Sequence, residues 1–288
     1  MKVPSNDLRT IRSFYQKRLE AIYGKAEAEQ LLLILIRHYF GLDRTQLALR
    51  TDLRLSESEM LKIHFAVKEL LHHKPVQYIT GETEFFGHSF LVKAGVLIPR
   101  PETEHLVDII VRRFLNHGSV AICDLGTGSG CIAISLALAL PQAKVKAFDL
   151  SKDALALAEA NAKRLNATIA FQQADILKMN PHELETADII VSNPPYVRQS
   201  ERDKMKENVL NFEPEMALFV PDEEPLLFYK AIVKLAHQTL AKQGELWFEI
   251  NEAFGKATAG ICETIGMREV QIHQDFHGRD RFVSAVKH

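Results

Sequence analysis

The sequence predicts an α/β protein, in which a mostly parallel sheet alternates with helices and follows a small helical bundle. Seven short segments rich in β-branched and apolar residues occur between residues 120 and 286, and helical apolar spacing separates most of them. The first 75 residues contain no strand signal. From Val120 to Leu140, a strand, a glycine-rich turn and a helix follow one another, which is typical of a nucleotide site at the carboxyl ends of parallel strands.

Residues 1–75 are predicted to form the helical bundle. Apolar residues recur at helical spacing in four segments: 5–22, 26–39, 44–50 and 56–72. Ser56 is expected to cap the last helix, with Glu59 closing a capping box. This part is mildly basic, which is compatible with a phosphate-rich partner or an acidic protein patch, although solvated helix faces are the more common reason for such charges.

The segment 76–97 is predicted to be a β-hairpin linker between the bundle and a larger domain at 98–288. From Tyr78 to Leu97 its residues alternate in polarity and turn at glycines. Phe86, next to Phe85, is a candidate to carry an aromatic ring toward a substrate. Packing of both rings in the core is the more common arrangement.

A glycine-rich turn is the first candidate binding element. It consists of Asp124, Gly126, Thr127, Gly128, Ser129 and Gly130 around Leu125. Glycines allow positive φ and a close approach of a ligand to the backbone. The turn fits the dinucleotide pattern through Gly128, Gly130 and Ala133, and it equally fits the acidic-x-G-x-G-x-G form typical of S-adenosylmethionine sites. Composition does not separate these two interpretations.

Two later acids are further candidates for binding the nucleoside. Asp149 ends an alternating strand, 19 residues after Gly130, where an acid can accept both ribose hydroxyls. The alternative role is a helix N-cap, for which Ser151 is better placed. Asp175 and Ile176 follow another strand and are predicted to meet the adenine amine and ring face, with a solvated turn as the alternative.

The segment Asn193, Pro194, Pro195 and Tyr196 follows the apolar strand candidate 188–192. Two consecutive prolines fix φ and remove two backbone donors, so the chain leaves the strand in a stiff, extended form. The asparagine oxygen and a proline carbonyl can then accept both hydrogens of a planar NH2 group, as alkylation of a weakly nucleophilic amide or amine requires. Hydride transfer needs no such clamp. The segment therefore favours the S-adenosylmethionine interpretation over an ordinary turn.

The remaining segments complete the larger domain. Residues 197–225 are too long for an ordinary loop and are expected to shape a substrate site. His273 and His277 flank Asp275, but without an independent third ligand no metal site is predicted. Helices and strands are then expected at 226–240 (helix), 244–250 (strand), 253–265 (helix), 268–273 (strand) and 281–286 (strand).

Composition narrows the class of protein. The net charge of −2 argues against a stable nucleic-acid complex. The longest aliphatic run, 31–36, is too short to span a bilayer, and the first residues lack the apolar region of a signal peptide. Three cysteines without paired spacing indicate a reducing compartment. We therefore expect a cytoplasmic protein, and we expect it to be a monomer.

Taken together, these motifs resemble the bacterial peptide chain release factor N5-glutamine methyltransferase family, the HemK/PrmC type. The resemblance covers nearly the whole chain, and the segment Ile98–Glu104 is its most specific part. The other matching segments are 81–87, 124–130, 193–196, 212–214 with 217–218, and 278–281. One departure is Asn251, where the family pattern has glycine after Glu249-Ile250; an altered backbone is expected there.

The resemblance implies a class I S-adenosylmethionine-dependent methyltransferase with a Rossmann-like, mostly parallel seven-stranded sheet at 98–288. It implies S-adenosyl-L-methionine as cofactor, S-adenosyl-L-homocysteine as product, and class I release factors as protein partners. The acceptor would be the glutamine N5 of their Gly-Gly-Gln motif, and residues 1–75 would dock the substrate. Four residues would be catalytic and would also bind the substrate: Asn193, Pro194, Pro195 and Tyr196. Asn193 would bind the cofactor as well, and Phe86 would contact the substrate. The alternatives are an N6-adenine or N2-guanine nucleic-acid methyltransferase and a non-catalytic partner-binding module.

Overall fold

The computed structural model describes residues 5–50 and 53–288. The first four residues, part of the segment in which no signal peptide is predicted, lie outside the described residues. The chain divides into two compact units. One comprises Met1–Gly81 with Lys206–Phe212, and the other comprises Glu82–Met205 with Glu213–His288.

Helices and strands alternate along most of the described chain. In chain order the helices are α1 (Leu8–Phe40), α2 (Arg44–Leu49), α3 (Glu57–Leu71), α4 (Val76–Thr80), α5 (Pro101–Phe114), α6 (Cys131–Ala139), α7 (Lys152–Leu165), α8 (Glu207–Leu210), α9 (Glu215–Leu218), α10 (Leu227–Thr239) and α11 (Gly255–Thr264). The strands are β1 (Glu82–Phe85), β2 (His88–Leu91), β3 (Ala121–Leu125), β4 (Lys144–Asp149), β5 (Ile169–Gln173), β6 (Ala187–Ser192), β7 (Val197–Arg198), β8 (Phe219–Val220), β9 (Leu240–Glu249), β10 (Arg268–Gln274) and β11 (Asp280–Val286).

The first unit is helical in the residues described, apart from one isolated bridge, Asp7 to Arg54. Gly24, with φ 74° and ψ 166°, interrupts the helical backbone of α1 and separates the two helical segments expected there. The capping box predicted for α3 is confirmed, because the Ser56 hydroxyl accepts from the Glu59 N–H and the Glu59 carboxylate accepts from the Ser56 N–H.

The hairpin is shorter than the predicted 76–97 segment. Val76–Thr80 is helix α4, which starts after Pro75 and ends where Gly81 adopts φ 77°. Proline pre-sets the first turn and glycine terminates it, so these signals mark a short helix instead of a strand. Within this segment, the antiparallel hairpin is formed by β1 and β2.

The second unit is built on a seven-stranded sheet in the order β10-β11-β9-β6-β3-β4-β5. The pairs from β9 to β5 are parallel, and β11 runs antiparallel to both of its neighbours. The predicted mostly parallel, seven-stranded sheet is therefore confirmed. Strand β3 lies between β4 and β6, so the direction in which the chain adds strands reverses there, and a crevice forms at the carboxyl ends of these strands.

Buried apolar residues cover both faces of the sheet, which explains why the central strands read as continuous apolar segments. Helix α6, Cys131–Ala139, is apolar all round because it is almost entirely buried. The long segment 197–225 contains short helices and the two-residue parallel pair β7–β8. Within the described ranges, no helix is both long and apolar enough to cross a membrane.

Candidate active site

A pocket at the carboxyl ends of β3, β4, β5 and β6 brings together most of the predicted site residues. Those that line it are Gly126, Thr127, Gly128, Ser129, Asp149, Asp175, Ile176, Asn193 and Pro195. All of them belong to the second unit. Local signals scattered over 70 residues of sequence thus converge on one concavity.

The glycine-rich turn is held by hydrogen bonds within the protein. The N–H groups of Gly126 and Thr127 both donate to the Phe148 carbonyl, at 2.8 and 2.9 Å. The Gly128 N–H donates to Asp149 Oδ2 at 2.8 Å. A loop that binds a diphosphate must direct its N–H groups at the ligand, whereas here three of them are already used. The structure therefore disfavours the dinucleotide interpretation that the sequence left open.

Gly130 ends the turn at the start of helix α6 and does not line the pocket. It precedes helix α6 with φ 82°, a left-handed conformation that suits glycine. A Cβ at this position would lie 2.9 Å from Ile134 Cδ1 and 3.0 Å from Ala158 Cβ. Glycine at position 130 is thus required for the packing of the helices. The cofactor contact expected for Gly130 stays a prediction.

Asp124 lies fully buried below the turn. The Thr127 hydroxyl donates to its Oδ2 at 2.6 Å, which fixes the turn on the end of β3. Within the described ranges its Oδ1 has no hydrogen-bond partner. Burial raises the pKa of the Asp124 carboxyl to about 7, although the bond from Thr127 opposes the rise.

Asp149 is the acid at the end of β4, where the ribose-binding residue was predicted. Its two carboxylate oxygens accept from the N–H groups of Gly128 and Ser151. Burial raises its pKa, against the effect of these bonds. Each oxygen retains a second lone pair, so Asp149 can hold the turn and still accept a ligand hydroxyl. Ser151 caps α7, as predicted, by accepting from Ala154 N–H.

The segment Asn193–Tyr196, here called the proline-rich corner, is joined to the glycine-rich turn where β6 and β3 end. The Ser192 hydroxyl donates to the Leu125 carbonyl at 2.6 Å and joins the ends of β6 and β3. Asn193 lines the pocket, and its Nδ2 donates to Thr103 Oγ1 at 3.3 Å. Within the described part of the chain, neither Asn193 Oδ1 nor the Pro194 carbonyl has a hydrogen-bond partner. Two oxygen acceptors at the corner are thus unpaired within the described chain, and of the two residues Asn193 lines the pocket.

Besides Gly130, three predicted site residues are absent from the lining of the pocket. Pro194 and Tyr196 do not line the pocket. The Tyr196 ring packs against the core of the second unit, and its hydroxyl donates to Glu249 Oε1 at 3.1 Å. Phe86 follows β1 with φ 48° and packs against the other side of that core. It too is absent from the lining, so its substrate contact stays a prediction.

Sequence reasoning missed a buried acidic group beside Asn193. The Glu249 side chain, on β9, is 1% exposed and accepts from the Thr103 hydroxyl at 2.7 Å as well as from Tyr196. Burial raises the pKa of Glu249, while the two hydrogen bonds and the charge of Arg281 oppose the rise. Nothing local identifies this contact, because Thr103 and Glu249 are 146 residues apart in the chain.

A second missed contact joins two of the family-like segments. The Glu213 carboxylate accepts from the Arg100 guanidinium at 2.5 Å and from the Ile98 N–H at 3.2 Å. Ile98 and Arg100 both line the pocket. Glu213 pairs with Arg100, and Lys178 pairs with Asp175 at 3.1 Å. Among the described residues, Asp149 is then the charged residue of the lining without an ion-pair partner, so the pocket favours a cation over an anion.

Asn161 is a further missed residue. It is fully buried on α7, and its Nδ2 donates to the Ser129 carbonyl at 2.9 Å and to the Leu91 carbonyl at 3.1 Å. Its Oδ1 accepts from the Leu91 N–H at 2.7 Å. One side chain thereby connects the hairpin to the glycine-rich turn. A polar residue on the buried face of an amphipathic helix is the sequence signal that could have found it.

Asn251 stands where the family pattern has glycine. Its φ of −66° and ψ of 131° are ordinary extended values that do not require glycine. The backbone change expected relative to the family stays a prediction. Its Oδ1 accepts from the Ala253 N–H, and its Nδ2 donates to the Tyr196 carbonyl at 3.2 Å and to Glu201. The substitution adds a side-chain anchor for the corner.

The His273 ring and the His277 backbone N–H each make a hydrogen bond within the protein. His273 bonds Ser284 at 2.8 Å, and Asp275 accepts from the N–H groups of His277 and Arg279 in a turn. Over residues 5–50 and 53–288, no group of three or more His, Cys, Asp or Glu residues is arranged to hold a metal ion.

Comparison with protein families gives two matches. Residues 102–213 match the family described as methyltransferase small domain, and residues 11–81 match the PrmC N-terminal domain. The second match falls within the helical unit, and the first contains the glycine-rich turn and the proline-rich corner.

Curated relatives match almost the full chain. A release factor glutamine methyltransferase from Bacteroides thetaiotaomicron is 41% identical, over 96% of this chain and 98% of its own. One from Flavobacterium psychrophilum is 42% identical over the same shares. Among solved structures, a methyltransferase from Pyrococcus furiosus superposes with a TM-score of 0.52 at 15% identity, covering 81% of this chain and 99% of that one, which concerns the fold alone. From near-complete coverage at such identity, the chain belongs to the release factor glutamine methyltransferase family.

Proposed function

We propose that this protein transfers a methyl group from S-adenosyl-L-methionine to the N5 of the glutamine in the Gly-Gly-Gln motif of class I release factors. The observation that carries the proposal is the position of Asn193. Its Oδ1, without a partner in the described chain, belongs to the pocket that also contains the glycine-rich turn. The family relationship supports the choice of a protein glutamine as acceptor.

The residues of the pocket suit this cofactor. Its sulfonium supplies an electrophilic methyl group and carries a positive charge when bound. Asp149 offers carboxylate oxygens for ribose hydroxyls, and Asp175 with Ile176 offers an acceptor and an apolar surface for adenine. Gly128 leaves open space, because an added Cβ there would meet no atom within 4 Å. The Asp149 carboxylate would also attract a cation and repel a diphosphate.

Positioning of the acceptor is the main contribution that we assign to Asn193 and Pro194. The Asn193 Oδ1 and the Pro194 carbonyl would accept the two hydrogens of the substrate carboxamide. Delocalisation makes an amide nitrogen a weak nucleophile, as its rotation barrier of about 18–20 kcal/mol reflects. Good alignment contributes roughly 7–11 kcal/mol, whereas each hydrogen bond contributes a net ~0.5–1.5 kcal/mol. Alignment therefore dominates.

Bond changes in the reaction balance without a catalytic base. The new bond joins the methyl carbon to N5, the bond from that carbon to sulfur breaks, and S-adenosyl-L-homocysteine is the product. One N–H proton of the acceptor then leaves to water. Pro195 lines the pocket and would stiffen the corner. Tyr196 would anchor the corner through its hydrogen bond to Glu249.

The other parts of the proposal concern partners and location. The helical unit would dock the release factor, the enzyme would act as a monomer, and it would hold no stable nucleic acid or membrane. The net charge of −2 supports the absence of a stable nucleic-acid complex. Because release factors act at the ribosome, the reaction would take place in the cytoplasm.

A labelling experiment tests the acceptor. The protein is incubated with methyl-labelled S-adenosyl-L-methionine and either purified class I release factors or total RNA and DNA, and the label is located by mass spectrometry. We expect label on the glutamine of the Gly-Gly-Gln motif and none on a release factor with alanine in its place. Label on nucleic acid alone would reject the proposal, and an absence of both labelling and cofactor binding would favour a non-catalytic module.

Asn193→Ala tests the clamp itself. We expect methyl transfer to fall at least ~100-fold, because acceptor alignment is lost, while calorimetry shows cofactor binding within a few-fold of the wild type. Gln142→Ala is the matched control, since it removes an exposed carboxamide beside the amino end of β4, away from the pocket. Near-normal turnover of Asn193→Ala would show that the clamp is not needed.

A further inference from the structure

The geometry points to Glu249 and Thr103 as positioning residues, which together fix the orientation of the Asn193 carboxamide so that Oδ1 and not Nδ2 faces the acceptor. We propose that this buried chain of hydrogen bonds sets the polarity of the clamp. The inference rests on the proposed function for its effect on catalysis, but the chain of hydrogen bonds itself can be observed without any substrate.

Glu249 determines which groups donate and which accept in this series of hydrogen bonds. Its two carboxylate oxygens each accept from one hydroxyl, Oε2 from Thr103 at 2.7 Å and Oε1 from Tyr196 at 3.1 Å. The ionised carboxylate can only accept, so both hydroxyl hydrogens then point to it. Burial raises the pKa of Glu249, while the hydrogen bonds from Thr103 and Tyr196 and the charge of Arg281 oppose the rise and favour the ionised form.

The hydrogen bond from Thr103 to Glu249 determines how Thr103 can interact with Asn193. A threonine hydroxyl has one hydrogen, and here it is donated to Glu249. Toward Asn193, at 3.3 Å, the Thr103 oxygen can therefore only accept. The amide NH2 must face Thr103, because an amide oxygen there would set two acceptors against each other. The orientation of an asparagine amide is decided by such networks.

The orientation of the Asn193 amide decides whether its oxygen or its NH2 group faces the acceptor. With Nδ2 bonded to Thr103, Asn193 presents its oxygen, which matches an NH2 group. Reversed, it would present its own NH2 and repel the acceptor. Thr103 is well placed for this role, since it is 2% exposed, borders the pocket and sits in the first turn of α5.

Substitutions at two positions separate this role from simple packing. Thr103→Val keeps the shape but has no oxygen for Asn193, and Thr103→Ser restores the hydroxyl. Glu249→Gln keeps the shape as well, but its NH2 group can donate to Thr103 and release the threonine hydrogen toward Asn193. We expect Thr103→Val and Glu249→Gln to lower kcat by roughly 10-fold, the effect of a lost or mispaired hydrogen bond. Thr103→Ser should recover most of it, with cofactor affinity unchanged throughout.

A spectroscopic measurement tests the same chain without substrate. In protein labelled with 15N-asparagine, the side-chain NH2 signals of Asn193 are assigned by their loss in Asn193→Ala. We expect these signals to move in Thr103→Val and Glu249→Gln and to return toward wild-type positions in Thr103→Ser. Thermal unfolding of each variant confirms that it is folded.

The outcomes are distinguishable. Unmoved Asn193 signals in folded Thr103→Val and Glu249→Gln, or wild-type kcat in both, would overturn the inference. If the wild-type protein methylates no release factor, the proposed function fails, and the NMR result still decides whether Thr103 and Glu249 orient Asn193.

Discussion

Replacing Gly130 by alanine should destabilise the second unit far more than the same change at Gly128. Both glycines have positive φ, 82° and 56°, so alanine at either one incurs a backbone cost of roughly 1–2 kcal/mol. Only at Gly130 is the added methyl crowded, at 2.9 Å from Ile134 Cδ1 and 3.0 Å from Ala158 Cβ. At Gly128 it meets nothing within 4 Å.

Crowding at Gly130 has no cheap relief. The neighbouring Ala158 has no side-chain torsion to adjust and is fully buried, and its Cα would lie 3.3 Å from the new methyl. Helices α6 and α7 must therefore separate slightly, and overpacking of this kind costs about 1–3 kcal/mol. We expect a total loss of roughly 2–5 kcal/mol for Gly130→Ala, against roughly 1–2 kcal/mol for Gly128→Ala.

Urea unfolding followed by tryptophan fluorescence measures this difference. The chain has a single tryptophan, Trp247, buried on β9 of the second unit, so its fluorescence reports the unfolding of that unit alone. Equal losses in the two variants, at comparable m-values, would refute the close helix packing at Gly130.

Two further predictions concern buried polar groups. Burial raises the pKa of Asp124 from 3.8 to about 7. Between about pH 4 and 7 the folded state therefore keeps a proton that the unfolded state has lost. The free energy of unfolding then falls by up to about 4 kcal/mol as the pH rises through that window. Asp124→Asn cannot ionise, so its unfolding free energy relative to wild type should rise from pH 4 to pH 8, and a pH-independent difference would contradict the assignment. Asn251→Gly removes the donor to the Tyr196 carbonyl and the acceptor for the Ala253 N–H, so we expect a loss of about 1–2 kcal/mol in urea unfolding and a lower kcat at unchanged cofactor affinity. Unchanged kcat there would mean that the anchor does not reach the corner.

Local sequence signals predict the elements whose shape is set by their own backbone. The turn from Asp124 to Gly130 and the corner from Asn193 to Tyr196 were predicted because glycine and proline restrict φ and hydrogen bonding at their own positions. The predicted sheet also followed from local patterns, since buried parallel strands are short apolar segments. The helix α4 was misread as part of a hairpin because five residues are too few to show a helical period.

Contacts between distant residues left no such signal. Glu213 with Arg100, Asn161 with Ser129 and Glu249 with Thr103 are separated in the chain by 113, 32 and 146 residues, respectively. Each involves one polar side chain whose partner is defined only when strands and helices are packed. Tyr196 is a further example. The sequence places it in the proline-rich corner, but it does not predict that its hydroxyl bonds Glu249.

By itself, the sequence determined where the chain turns and which strands are buried, because these follow from backbone restriction and apolar period. The tertiary structure alone decided which way the polar groups point. It committed the N–H groups of Gly126, Thr127 and Gly128 to the protein, and it set the Thr103 hydroxyl toward Glu249, leaving the Asn193 oxygen for the pocket. Hydrogen-bond direction depends on every neighbour in three dimensions, and so only the folded chain specifies it.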